Sequence, residues 1–258
     1  MNIDDVKKRE LPPHLLINLA IKTVGVHFLS LLPVCLLLFL PPAIIRWAFI
    51  PLDGININMA SLADIDPIVL KYSFLSTGID LIFKPLAFGV FAFITIKLAD
   101  GKKVSFSDAL DMAVNRWARL FYTAVVFFVF IIPVSAVTGP FFLIPMVFFT
   151  ITFMLCLCVA VHTKQCGLSA LLISRVMMRG RWLRGFWLCV LLIFFYLLVS
   201  VLFYTPMVMY ELWSNPYMLA LNELLRETAT SFVFVAIALF YINIQYSIKN
   251  FETNIKNI

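Results

Sequence analysis

The chain has 258 residues, 62% of them hydrophobic and 13% charged, with a formal net charge of +6 and a mean hydropathy of +0.99. A soluble globular chain is roughly 45–50% apolar and about 25% charged, and one of this size cannot hide the excess in a single core. Composition thus argues against a water-soluble enzyme and for a bilayer. The cations stand beside apolar runs, where topology and anionic headgroups account for them, so no nucleic-acid partner is expected.

The N-terminal Met1–Glu10 mixes Asp4 and Asp5 with Lys7, Lys8 and Arg9, and Pro12-Pro13 follows. The first apolar run is too long for a signal-peptide core and carries no Ala-x-Ala-like site, so it reads as an uncleaved span. A membrane helix needs about 20 apolar residues. Six runs qualify: 24–46, 75–97, 119–138, 141–162, 185–210 and 229–248. The expected fold is an all-α, polytopic membrane protein. Six transmembrane helices form three hairpins, with amphipathic interfacial helices before the hairpins, in one membrane domain covering 1–258.

Lysine and arginine set the orientation. Lys7, Lys8, Arg9 and Lys22 precede the first run; Lys97, Lys102, Lys103, Arg116 and Arg119 lie between the second and third. Lys164, Arg175, Arg179, Arg181 and Arg184 lie between the fourth and fifth, and Lys249 and Lys256 follow the sixth. The opposite side is richer in acids, so both termini are expected in the cytoplasm. On that outer side, Asp66-Pro67 could start a helix that runs into the second span. After the turn at Asn215-Pro216, apolar Met218, Leu221, Leu224 and Leu225 alternate with Asn222, Glu223, Arg226 and Glu227, a spacing that predicts a helix on the outer interface. A tight turn at Gly139-Pro140 joins the third and fourth runs.

The large cytosolic loops look duplicated. One reads Ser107-Asp108-Ala109-Leu110 and then Arg116-Trp117-Ala118-Arg119-Leu120-Phe121; the other reads Ser169-Ala170-Leu171 and then Arg181-Trp182-Leu183-Arg184-Gly185-Phe186. Ser107 is the expected helix cap. Ala109, Leu110, Ala113, Val114 and Trp117 form one apolar stripe, and Leu168, Leu171, Leu172 and Val176 another, so each segment reads as an interfacial helix turning into a span. Trp117 and Trp182 suit the headgroup belt, and Arg116, Arg119, Arg181 and Arg184 suit anionic lipid phosphates or a protein partner in the membrane. With Leu15–Lys22 as a third copy, the repeats cover 13–97, 102–162 and 167–250.

Gly101-Lys102-Lys103-Val104-Ser105 before a helix, Ile144-Pro145 in the next hairpin, then Gly167-Leu168-Ser169-Ala170-Leu171, Ser174 and Arg181-Trp182 before the fifth run, carry a resemblance. The chain resembles a superfamily of bacterial six-helix inner-membrane proteins related to the membrane domain of glycerophosphodiester phosphodiesterases, over roughly 95–250. It departs from that pattern at Pro145-Met146 and at His162-Thr163-Lys164. The resemblance implies architecture and a bacterial inner-membrane location, and no phosphodiesterase chemistry, because the catalytic part of those enzymes is a separate soluble domain.

Intramembrane ionisable residues are functional candidates by default, and Asp80 and Lys84 stand four apart on one helix face. Lys84 lies about 20 Å from Lys97 at 1.5 Å per residue, hence about 10 Å short of the outer interface. The alternatives are a polar site or an interfacial ion pair with Lys84 snorkelling outward. His27 and His162 near span ends read as interfacial, and Asn243 and Gln245 as interhelical glue. Pro33, Pro41, Pro42, Pro133, Pro145 and Pro206 interrupt the apolar runs, either as broken helices of the kind that bind transporter substrates or as tolerated plain kinks. Cys35, Cys156, Cys158, Cys166 and Cys189 read as small hydrophobic residues; no metal, cofactor or catalytic constellation is expected. The leading expectation is a non-enzymatic inner-membrane scaffold or accessory factor in lipid or envelope handling; the alternative is a small transporter or channel with its polar site at Asp80 and Lys84.

Overall fold

The computed structural model describes residues 3–7, 10–26, 28–49, 67–102, 104–137, 143–210 and 216–256. All secondary structure among them is helical: a 3-10 turn at Ile3–Lys7, then α1 (Pro13–Val26), α2 (Phe28–Phe49), α3 (Pro67–Ala99), α4 (Phe106–Asn115), α5 (Trp117–Val137), α6 (Leu143–Phe153), α7 (Cys156–His162), α8 (Leu168–Met178), α9 (Trp182–Met209) and α10 (Pro216–Lys256). Four stretches are long and apolar enough to cross a membrane: Leu75–Ala99, Pro145–His162, Trp182–Pro206 and Leu224–Lys249. The runs at 24–46 and 119–138 fall mainly on α2 and α5, whose described apolar parts, Leu32–Ile45 and Trp117–Val129, are shorter. Most of the outer loop at 51–71, the turn at Gly139-Pro140, and His27 lie outside the described residues.

Helix α10 is the hub, packing on α3, α2, α1 and α9. Phenylalanines fill the seams between these helices: Phe39 stacks toward Phe91, Phe88 meets Phe234 edge-on at 5.1 Å, and Phe195 lies 4.2 Å from Phe232. Leu239, Phe240 and Ala236 are fully buried between these helices. By contrast α9 turns Ile193, Phe194, Leu197, Val201 and Leu202 outward, each more than half exposed. So large an apolar surface is costly in water and natural in lipid.

Two expectations need correction, and one pair of alternatives is decided. The predicted interfacial helix at 218–227 is the outer end of α10, one helix of 41 residues; no glycine or proline occurs from 217 to 256 to stop it,. The cap of α4 is Ser105, not Ser107: its hydroxyl accepts from the Asp108 amide at 3.1 Å, and Asp108 stands in the first turn, where a negative charge suits the helix dipole,. The prolines do not break the spans either. Pro33, Pro41 and Pro42 lie inside α2, Pro133 inside α5, Pro206 inside α9, and Pro145 sits in the first turns of α6. The break comes at Met154-Leu155, between α6 and α7. There Thr152 bonds back to the Phe148 carbonyl at 2.6 Å, a bond that bends helices, and its own carbonyl accepts from buried Ser174 of α8 at 2.9 Å,. Gly185 lets α9 close on this joint, because a Cβ there would fall 3.0 Å from Ile151. Asp66-Pro67 does mark a helix start: α3 begins at Pro67 and runs for 33 residues into the second apolar run,.

A short helix precedes a long one in three places, α1 before α2, α4 before α5 and α8 before α9. The short helices are not simple amphipathic rods. In α4, Ala109 and Ala113 are fully buried, while Val114 of the same stripe is 56% exposed. In α8, Leu171 is buried with Ala170 and Ser174, and Leu168, Leu172 and Val176 face outward.

Candidate functional site

Asp80 and Lys84 lie together on α3, as their spacing requires, with Lys84 Nζ 2.9 Å from Asp80 Oδ2. Sequence reasoning missed the third member. Glu227 of α10 places Oε1 3.5 Å from Lys84 Nζ, and its side chain is 5% exposed against 38% for Lys84. Glu227 was read as an outer-loop acid; continuity of α10 carries it into the bundle. The missing signal was the unbroken helical stretch from 217, whose 3.6-residue period puts Glu227 on the same side as buried Ser231,. Lys84 thus meets a carboxylate from each of two helices, α3 and α10. Buried charge of this kind in a low-dielectric interior calls for a partner.

The cluster borders a cavity of about 400 Å³ between α3, α5, α6, α7 and α10. Its polar end carries Asp80, Lys84 and Thr77, and its walls carry Phe88, Phe127, Phe153 and Phe234. Pro85, one residue past Lys84, lines it too and has no amide hydrogen to give the Leu81 carbonyl,. The α6–α7 break opens onto the same space through Phe153, Met154, Cys156 and Leu157. Irregular backbone at membrane depth is tolerated where it is buried in protein or lines a cavity. This arrangement can receive a polar or charged head at one end and an apolar body against the rings.

The Arg-Trp residues are used differently in the two segments. Arg116 donates to the Val161 carbonyl of α7. Trp117 stacks on Phe121 at 5.2 Å and donates its indole N–H to the Ile82 carbonyl at 3.3 Å; Arg119 is exposed. In the second segment, Arg181 Nε donates to Glu10 Oε1 at 3.2 Å and Arg184 Nη1 to Glu10 Oε2 at 2.7 Å. Arg184 Nη2 also donates to the Leu11 carbonyl at 2.6 Å and to Asn243 Oδ1 at 2.9 Å. Trp182 stacks on Phe186 at 5.6 Å and on Phe148 at 6.0 Å.

Asn243, read from sequence as interhelical glue, is the centre of a second polar cluster. Its Oδ1 accepts from the Leu11 amide at 3.1 Å and its Nδ2 donates to the Val6 carbonyl at 2.8 Å, so it holds the N-terminal segment against α10. Burial works to raise the Glu10 pKa, but the Ser247 hydroxyl and the charges of Arg184 and Arg181 outweigh it and hold the carboxyl below its ordinary range. Asp100, at the end of α3, is likewise lowered: burial is outweighed by Lys7, 2.7 Å away, and by the Tyr246 hydroxyl at 3.2 Å. His162 Nδ1 lies 3.1 Å from the Tyr241 hydroxyl. Among the described residues no group of three or more His, Cys, Asp or Glu is placed to hold a metal ion.

No family model, curated protein or solved structure matches this chain. The fold and the composition define a helical protein with several membrane-length apolar helices.

Proposed function

We propose that this chain is a non-enzymatic integral protein of a bacterial inner membrane that handles an amphiphilic lipid-like molecule. It crosses the membrane six times as three hairpins, with both termini in the cytoplasm and with repeats over 13–97, 102–162 and 167–250. The observation that carries the reading is the cavity lined by Asp80 and Lys84, charged at one end and walled by phenylalanine rings. Asp80 and Lys84 complement a zwitterionic head, its amine toward Asp80 and its phosphate toward Lys84, while Glu227 pairs with Lys84 from α10,. The rings suit an acyl chain, and their faces also attract an amine. Of the Arg-Trp residues, Arg119 and the rings of Trp117 and Trp182 then serve the membrane or a partner, because Arg116, Arg181 and Arg184 bond the protein's own groups.

The test is titration of the detergent-solubilised full chain with phosphatidylethanolamine, counting bound lipid in native mass spectra. Asp80→Asn with Glu227→Gln is expected to weaken binding at least tenfold; unchanged binding would refute the reading. The α6–α7 break favours a second reading, small-solute transport along the same cavity, since broken helices are typical of transporter sites. Flux into proteoliposomes that Lys84→Met abolishes, without any lipid binding, would favour it.

A further inference from the structure

A second basic surface lies apart from the cavity, where α8 turns into α9. Here Arg175 and Arg179 stand four residues apart, on one face of the last turn of α8 and its cap,. Both are exposed, and among the described residues neither has an ion-pair partner, unlike Arg181 and Arg184 two turns of chain away. They line a groove of about 630 Å³ with Leu172, Val176, Phe148 and Trp182. The indole N–H of Trp182 is buried without an acceptor. Gly180, at φ +75°, makes the turn that leaves the groove open between the two helices,.

The groove is built of two halves. Its basic half is Arg175 and Arg179, placed at a helix C-terminus where positive charge is favoured and the last carbonyls also draw cations. Its apolar half continues along α8 as Leu168, Leu172 and Val176, at 51%, 59% and 70% exposure and four residues apart. A helix that buries Leu171 and Met178 on one side and exposes such a stripe on the other has a second apolar face suited to lipid,. Trp182 opens the membrane-length stretch Trp182–Pro206, and tryptophan and arginine at such an end suit the headgroup level,.

We infer that this groove is a binding site for one anionic phospholipid. Arg175 and Arg179 clasp the phosphate, an oxygen of the head satisfies the Trp182 indole, and an acyl chain lies along Leu172 and Val176. Charge complementarity selects this occupant: two unpaired guanidiniums beside an apolar trough fit a headgroup with a net negative charge and an attached chain. A zwitterionic lipid would bring an amine against the same two cations.

The experiment is titration of the full-length protein in a neutral detergent with phosphatidylglycerol, phosphatidylcholine or water-soluble glycerophosphate, read by native mass spectrometry. The expected result is one retained phosphatidylglycerol whose binding is at least tenfold weaker in Arg175→Gln/Arg179→Gln, while any phosphatidylcholine retained is unaffected by that double variant. Trp182→Phe keeps the ring stack and loses the N–H, and is expected to weaken binding about threefold. Lys164→Gln, which removes an exposed cation elsewhere, should leave it unchanged. Equal loss in Lys164→Gln would make the effect one of general charge and overturn the site, as would phosphatidylcholine retention that the double variant weakens equally, or binding of glycerophosphate as tight as that of the lipid. The double variant removes no hydrogen bond or ion pair among the described residues, so its unfolding temperature should match that of the parent; this separates lost binding from lost fold. Each readout is the difference made by Arg175→Gln/Arg179→Gln, so it stands whether or not Asp80 and Glu227 hold a lipid.

Discussion

Two polar clusters sit in this apolar bundle and are built on opposite principles. Around Asn243, donors and acceptors answer one another: Glu10 takes Arg181, Arg184 and Ser247, and Asn243 takes Leu11, Val6 and Arg184. Around Lys84, carboxylates of α3 and α10 meet one ammonium at the edge of a cavity beside a broken helix. A network closed on the protein's own groups fixes a structure, while charges that line a cavity are suited to a ligand. The difference separates glue from site where residue type cannot, since both clusters combine acids with cations.

The comparison breaks most easily at Asn243. Asn243→Leu strands the buried Leu11 amide and Val6 carbonyl and takes a partner from Arg184. It should cost about 2–4 kcal/mol and expose the N-terminal segment to protease, with lipid binding at Asp80 and Glu227 intact at temperatures where the protein stays folded. If the two effects cannot be separated, the clusters are one unit.

Lys84→Met should be milder for the fold, about 1–3 kcal/mol by thermal unfolding, because Lys84 is partly exposed while Glu227 is buried,. Adding Glu227→Gln should restore part of that loss; a further drop would mean that Glu227 is held by something other than Lys84's charge.

Acid should act on the Asn243 side. Glu10 and Asp100 titrate below their ordinary values in the folded chain. Their contribution to stability is therefore full above the usual carboxylate range, about pH 4, and is lost as pH falls through the lowered values. Protease release of the N-terminal segment should rise over that interval, and Glu10→Gln should flatten the response. Smallest of all, Ser174→Ala should cost about 1 kcal/mol, by removing the donor to the Thr152 carbonyl at the α6–α7 joint,.

The Asp80–Lys84 pair was legible because helical spacing fixes neighbours four apart before any tertiary contact forms. Glu227 was not: 143 residues separate it from Lys84, and only the packing of α10 on α3 brings them together. The repeated Arg-Trp pattern was equally visible, as was its start-of-helix position at Trp117 and Trp182. Its use was hidden, because the partners of Arg181 and Arg184 come from Glu10 and Leu11 at the far end of the chain. The prolines left two alternatives open for a related reason. In a packed bundle neighbours re-satisfy freed backbone groups, so helices run through proline, while the real break at Met154-Leu155 rests on a Thr152 back-bond and on Ser174 from another helix,.

The sequence by itself determined that the chain is helical and built for lipid, because hydropathy and backbone hydrogen bonding act locally along each segment. It determined also that Asp80 and Lys84 meet. Which acids and cations become a site, which become a clamp, and where a long apolar run breaks were decided only by tertiary structure, because charge is balanced across helices and sequence order carries no record of which helices touch.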